Sequence, residues 1–191
     1  DAVRAAFEAK WIANVLMGRH ELKRDEGRYE RALVRLAAAG LNPAQVEAGA
    51  AAIATESLAL VQGPPGTGKT RLLAQVTAML CSAGCRIAVS AFTHRAVDNA
   101  LLAIRRLAPQ LTLIKLGSSS GEGREALRKA NVQIVDARRV RMPDKNVVVA
   151  GTCFQLAKLH EDFKFHYTVF DEAGQLPIPH ALPGMLRAQR W

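Results

Sequence analysis

The sequence has 191 residues, 49% of them apolar and 23% charged, which is a globular composition and excludes an intrinsically disordered chain. Its net charge of +9 favours a polyanionic partner, either nucleic acid or an acidic membrane surface. No apolar run reaches the length of a membrane span, so we expect no membrane-embedded partner. Because three cysteines cannot form a paired framework, we expect free thiols in a reducing, intracellular compartment, cytoplasmic or nuclear.

The first 38 residues predict a helical extension that precedes the main domain at residues 39–191. Apolar side chains recur among many charges at helical spacing, with Gly18 and Gly27 as weak points. A second helix is predicted from Pro43 to about residue 55, because Asn42 suits the N-cap and proline suits the first helical position. Gln45 lies in the first turn of this helix.

Residues 63–70 read G-x-x-x-x-G-K-T, the spacing of a phosphate-binding P-loop. An apolar run at 58–61 predicts a buried strand before the loop, and residues 71–80 predict a helix after it. Glycines allow backbone N–H groups to face a phosphate, Lys69 would reach the β- and γ-phosphates, and the Thr70 hydroxyl would ligate Mg²⁺. The alternative is a glycine-proline turn before an amphipathic helix. The strand, loop and helix context favours an ATP site.

Strands alternate with helices through the rest of the chain, which predicts a three-layer α/β fold with a parallel sheet. Residues 117–123 are rich in glycine and serine and predict a flexible segment, and residues 124–146 are basic and irregular apart from one short helix. The further strands are predicted at 86–91, 111–116, 147–150 and 167–170, and the further helices at 96–107, 125–130, 151–159 and 179–189.

Two adjacent acids, Asp171 and Glu172, follow the apolar strand at 167–170. A P-loop ATPase needs a carboxylate at the end of a neighbouring strand for Mg²⁺ and a base that orients the attacking water. We therefore assign Asp171 to the metal and Glu172 to the water. The alternative, a solvated turn, is less favoured because the same chain carries a P-loop.

These motifs together resemble the superfamily-one helicases, in the branch that contains the nonsense-mediated-decay helicase. Residues 171–175 (DEAGQ) are similar to the D-E-A-x-Q motif II, 41–45 to the Q motif, and 61–70 to motif I. Residues 91–98 (AFTHRAVD) resemble motif Ia, although His94 stands where asparagine is usual, and 151–153 resemble motif Ic. The resemblance covers residues 41–175 in the family's order and implies a RecA-like P-loop NTPase domain.

The resemblance also implies roles for individual residues. Gln45 would contact the adenine, Gln175 would lie near the γ-phosphate, and three residues, Thr93, His94 and Thr152, would line the track of a single strand. Contacts of that kind position a strand without reading its sequence. The residues expected to bind ATP are Gln45, Gly63, Pro64, Pro65, Gly66, Thr67, Gly68, Lys69, Thr70, Arg71 and Gln175.

The sequence begins with Asp1 and stops at Trp191, so we expect a piece of a longer protein, cut before motif III and without the second RecA-like domain. The leading hypothesis is the ATP-binding motor domain of a helicase or translocase that uses ATP and Mg²⁺ to move on single-stranded DNA or RNA. One alternative is a P-loop ATPase that acts on a partner other than nucleic acid. Another is a binding module with negligible turnover.

Overall fold

A computed structural model of the chain describes residues 10–119, 121–141 and 145–191. Its centre is a six-stranded sheet in which each pair of neighbouring strands is parallel. The strands are β1 (Ile87–Ala91), β2 (Thr112–Leu116), β3 (Gln133–Val135), β4 (Val147–Thr152), β5 (Phe165–Phe170) and β6 (Ala188–Arg190). Across the sheet they lie in the order β3-β2-β4-β1-β5-β6.

Helices connect the strands and precede them, and most begin where the sequence predicts. They are α1 (10–16), α2 (Glu26–Ala38), α3 (Pro43–Ala54), α4 (Lys69–Ser82), α5 (His94–Leu107), α6 (Gly121–Lys129), α7 (Cys153–Ala157) and α8 (Ile178–Met185). The start of α3 is confirmed in detail: Asn42 is the N-cap, its side chain accepts from the Gln45 amide, and Pro43 occupies the first helical position. Among the described residues no helix has the length and apolar character needed to cross a bilayer.

Both faces of the sheet are covered, which confirms the predicted three-layer α/β fold. Val148 and Ala150 of β4 belong to the larger core, which also holds apolar side chains of α2 to α6. Val147 and Val149 of the same strand face the opposite side and pack in a second core with Leu156 of α7. A strand buried on both faces needs a nearly continuous apolar run, and the sequence of β4 supplies one.

The buried strand predicted at 58–61, before the P-loop, is wrong, because the structure has no strand there. The Ala59 amide donates to the Trp191 carbonyl at 2.8 Å, and the Trp191 amide donates to the Ser57 carbonyl at 2.7 Å. These two bonds place residues 57–59 beside the end of β6, at the edge of the sheet. Leu60 is 80% exposed and Val61 42% exposed, because no described strand pairs with them there.

Two further differences concern short strands. The helix predicted to end at residue 189 ends at Met185, and residues 188–190 form β6, which pairs with β5. The basic segment predicted as irregular contains β3, which pairs with β2. Three-residue strands carry too little periodicity for a sequence pattern to reveal them. Part of the predicted flexible segment is also ordered, since α6 begins at Gly121.

The N-terminal helices pack on the rest of the chain. Ala32 and Leu36 of α2 are buried in the larger core, and Ile12 and Val15 of α1 pack with Met185 and Trp191 in a third, smaller cluster. The helix predicted for residues 1–9 lies outside the described residues. The domain boundary at residue 39 therefore stays a prediction.

Candidate active site

The carboxyl edge of the sheet brings the motif residues together. Strand β1 lies between β4 and β5, with Ala91 opposite Thr152 and Ser90 opposite Phe170. The segments that follow these three strands therefore start side by side. Ligands of open parallel sheets bind at this edge, so the topology supports the predicted location of the site.

The P-loop is shaped by two glycines and one threonine. Gly66 and Gly68 have φ angles of 80° and 81°, in the left-handed region where side chains are disfavoured. A Cβ at Gly68 would also lie 2.7 Å from Nε2 of Gln45, so a side chain there would displace Gln45 from the loop. The Thr67 hydroxyl donates to the Pro64 carbonyl at 2.8 Å and closes the turn. Helix α4 begins directly afterwards, so its free N–H groups meet the loop.

Lys69 folds back over its own loop. Its Nζ donates to the carbonyl of Gly63 at 2.7 Å and to that of Pro64 at 2.9 Å. The side chain is exposed, and carbonyl and phosphate oxygens are acceptors of the same kind. A phosphate in the loop would therefore compete with these carbonyls for the ammonium donors.

Gln45 connects α3 to the P-loop. Its Nε2 donates to the Thr67 carbonyl at 2.9 Å, and its Oε1 accepts from the Asn42 amide at 3.1 Å, which completes a capping box. Both ends of the side chain that we expect at the adenine thus have partners within the protein. Arg71 makes a similar tie, since its guanidinium donates to the Gly40 carbonyl at 3.2 Å.

Asp171 follows β5 and lies within electrostatic reach of the P-loop lysine. Its amide donates to the Ser90 carbonyl at 2.8 Å, and its Oδ1 accepts from the Glu172 amide at 3.0 Å. Burial raises the pKa of the Asp171 carboxyl, while the Glu172 hydrogen bond and the Lys69 charge act in the opposite direction. Lys69 is therefore near enough for its charge to act on the Asp171 carboxyl, and the roles assigned to the two residues stay predictions.

The donor set suits Mg²⁺, which prefers hydroxyl and carboxylate oxygens. Among the described residues, the half-buried Thr70 side chain makes no hydrogen bond, and Asp171 uses only one of its carboxylate oxygens. Glu172 is exposed and has a φ of 53°, a left-handed conformation that costs about 1–3 kcal/mol and is typical of functional turns. The Gln175 amide donates a hydrogen bond to the Glu172 carbonyl, and the Gln175 side chain is exposed at the same turn.

The residues expected to contact a single strand lie along the neighbouring part of the edge. Thr93 is the exposed N-cap of α5, and its hydroxyl accepts from the Ala96 amide at 3.1 Å. Thr152 ends β4 and is only 4% exposed. His94 is half-buried, and its Nδ1 lies 2.9 Å from Nζ of Lys115.

Sequence reasoning missed the polar groups behind His94. Lys115 on β2 is fully buried, and its Nζ lies 3.5 Å from Oδ1 of Asp98 on α5. Ser119 donates to the same carboxylate oxygen at 3.1 Å. The only sequence signal was a lysine within the apolar run 111–116, which our prediction left without a role.

Comparison with known proteins gives one family and a group of related sequences. Residues 40–142 match the family described as "AAA domain", a range that includes the P-loop, Thr93 and His94 and ends before Asp171. The chain is 34% identical over 154 residues to the "DNA replication ATP-dependent helicase/nuclease DNA2" of Saccharomyces cerevisiae, which covers 77% of this chain and 10% of that protein.

Two other relatives have names of the same kind. The Arabidopsis thaliana protein JHS1 is 30% identical over 153 residues, covering 78% of this chain and 11% of its own length. The Xenopus laevis DNA2 protein is 27% identical over 162 residues, covering 80% and 15% respectively. The chain thus spans only about a tenth to a seventh of these relatives.

Proposed function

The chain belongs to the AAA domain family, as a first RecA-like domain of the superfamily-one helicase type, and we propose that it drives movement along single-stranded DNA. The observation that carries this proposal is the meeting of the P-loop with Asp171 at one sheet edge, where the Lys69 charge acts on the Asp171 carboxyl. The relatives are named as DNA replication helicase/nucleases, which favours DNA over RNA as the track.

The residues of the site divide the work of ATP hydrolysis. The backbone of residues 63–68 and the N-terminus of α4 bind the phosphates, and Lys69 places a positive charge beside them. Thr70 and Asp171 would hold Mg²⁺, which when bound neutralises charge on the β- and γ-phosphates. Glu172, at the turn after β5, orients a water molecule and accepts its proton.

The track for the strand runs along the adjacent edge. The exposed Thr93 hydroxyl and the half-buried His94 at the start of α5 offer contacts to a phosphodiester backbone, beside Thr152 at the end of β4. The charge of +9 adds attraction that does not depend on sequence. This combination suits a motor that moves over any sequence.

We propose that a second RecA-like domain of the same protein closes on the bound nucleotide. The turn at Glu172 and Gln175 is exposed, so a second domain closing on the nucleotide could reach it. We place the protein in an intracellular, reducing compartment, because the three cysteines are unpaired and the relatives are named for DNA replication.

The test is ATP hydrolysis by the whole protein, with single-stranded DNA, single-stranded RNA or neither, at one stated salt concentration. We expect strong stimulation by DNA, and a loss of turnover of about 10²–10⁴-fold in Glu172→Gln with nucleotide binding retained. Glu161→Gln, at an exposed position outside the site, is the matched control and keeps the wild-type rate. Hydrolysis that ignores both polymers would support a P-loop ATPase with another partner, and stimulation by RNA alone would reverse the choice of track.

A further inference from the structure

Behind the start of α5 lies a group of polar side chains that the proposed hydrolysis does not use. We name it the His94 cluster, and it consists of His94, Asp98, Lys115 and Ser119. Lys115 has no exposed surface, and Asp98 and Ser119 are each 7% exposed. His94 is half-buried and is the member that reaches the surface.

The cluster contains one positive and one negative side chain, Lys115 and Asp98. A fully buried ammonium group is costly unless a counter-charge compensates it, and Asp98 supplies that charge at 3.5 Å. Ser119 donates to the same carboxylate, and α6 closes over it, since a Cβ at Gly123 would lie 3.1 Å from Oδ2 of Asp98. Helix α5 therefore supplies both side-chain partners of the lysine, His94 and Asp98, and the Leu116 carbonyl lies 3.5 Å from its Nζ.

Burial lowers the pKa of Lys115, while the charge and hydrogen bond of Asp98 raise it and favour the charged form. With Lys115 charged, its contact with His94 has one chemically consistent arrangement. A charged lysine can donate hydrogen bonds but cannot accept them, so Nδ1 of His94, 2.9 Å away, must be the acceptor. A neutral imidazole whose Nδ1 accepts carries its hydrogen on Nε2. Burial, together with the Lys115 charge, lowers the pKa of His94, while the Asp98 charge acts weakly the other way. Among the described residues, Lys115 and Asp98 are the charged groups that act on the ring.

We propose that Lys115 and Asp98 are positioning residues that hold His94 as the neutral Nε2–H tautomer, whose Nε2–H donates to a phosphodiester oxygen of the single strand. Within the described residues Nε2 has no hydrogen-bond partner. The exposed Thr93 hydroxyl and the N-terminus of the 14-residue helix α5 lie next to it, and both favour an anion. The identity of the acceptor rests on the proposed function, whereas the tautomer does not.

The first test reads the tautomer directly, from the ring ¹⁵N shifts of His94 in the 191-residue chain without nucleic acid. We expect an unprotonated Nδ1 and a protonated Nε2 from pH 6 to pH 8. His166 is an internal reference, because its Nδ1 accepts from the Arg86 amide at 2.9 Å. A His94 ring that is protonated on Nδ1, or doubly protonated at pH 7, would overturn the proposal.

Variants separate positioning from folding. Lys115→Met combined with Asp98→Leu removes both buried charges together, which avoids leaving either one unpaired. In this double variant we expect the His94 pKa to rise and the two tautomers to mix, while His166 stays unchanged. Lys115→Arg should keep the single tautomer, because a guanidinium group also donates hydrogen bonds and accepts none. An unchanged His94 spectrum in the double variant would show that Lys115 does not set the tautomer.

The second test measures the affinity of the whole protein and its variants for a fluorescent single-stranded DNA of fixed length at pH 8. An amide side chain also presents an acceptor oxygen and N–H donors, so His94→Asn should bind within about twofold of wild type, whereas His94→Phe should lose about fivefold. Between pH 8 and pH 6 the double variant should gain affinity relative to wild type, because its imidazole becomes charged. Equal affinity of His94→Phe and wild type would overturn the donor role. DNA that fails to bind the wild type would defeat the proposed function while leaving the tautomer result intact.

Discussion

The P-loop and the His94 cluster lie at the same edge of the sheet but are held in opposite ways. Lys69 is exposed and bonds to carbonyls of its own loop, which a phosphate can replace. Lys115 is fully buried, and its Nζ lies close to the Asp98 carboxylate, Nδ1 of His94 and the Leu116 carbonyl. Lys69 can therefore exchange its hydrogen-bond partners when a ligand binds, whereas Lys115 keeps its neighbours in a fixed arrangement.

The largest expected effect comes from breaking the buried pair. Asp98→Leu leaves the Lys115 ammonium without a counter-charge, and we expect the free energy of unfolding to fall by about 3–5 kcal/mol. Urea denaturation of the 191-residue chain measures this change. The double variant Asp98→Leu with Lys115→Met should recover most of the loss, because no unpaired charge remains.

An exposed ion pair on α6 gives the matched control for that experiment. Lys129 and Glu125 approach to 2.7 Å with 76% and 66% of their side chains exposed. Glu125→Gln should lower the free energy of unfolding by less than about 0.5 kcal/mol. Equal effects of Asp98→Leu and Glu125→Gln would mean that the buried pair is not held as we describe.

A smaller effect is expected where α3 meets the P-loop. Gln45→Ala and Asn42→Ala each remove one half of the capping box, and each should destabilise the chain by about 1 kcal/mol. Only Gln45→Ala also removes the hydrogen bond to the Thr67 carbonyl, so only this variant should weaken ATP binding. Equal ATP affinity in the two variants would show that Gln45 does not support the loop.

The smallest effect concerns the charge that Lys69 places beside Asp171. The positive charge favours the carboxylate and so lowers the Asp171 pKa, against the larger effect of burial, which raises it. Removing the charge in Lys69→Ala should therefore raise the Asp171 pKa further, so that the carboxyl protonates at a higher pH than in wild type. A ¹³C titration of the aspartate carboxyls measures this, with the exposed Lys158→Ala as control. A pKa that does not move would place Lys69 too far from Asp171 for the proposed site.

The loop and cap of the candidate nucleotide site could be predicted from the sequence because each of them is local. Residues 63–70 carry the whole loop in one stretch, and Asn42 and Gln45 cap a helix three residues apart. The strand and helix alternation likewise predicted the parallel sheet, because strands buried on both faces have an unmistakable apolar run. The position of Asp171 follows from one rule, that ligands of parallel sheets bind at the carboxyl ends of the strands.

The His94 cluster could not be predicted, because it joins residues that are far apart in the chain. A lysine in a strand normally indicates a solvated position, and the packing of α5 against β2, with α6 against α5, accounts for the burial of Lys115. The strands β3 and β6 were missed for a related reason, since their pairing partners decide their conformation. The exposure of Leu60 depends in the same way on which strands lie beside it.

The most direct test of the central claim is calorimetric titration of the 191-residue chain with ATP in the presence of Mg²⁺. We predict that the wild type binds, that Lys69→Ala loses about two orders of magnitude in affinity, and that Lys158→Ala binds as the wild type does. Wild-type affinity in Lys69→Ala would contradict the assignment of the P-loop, and the motor built on it would have to be abandoned.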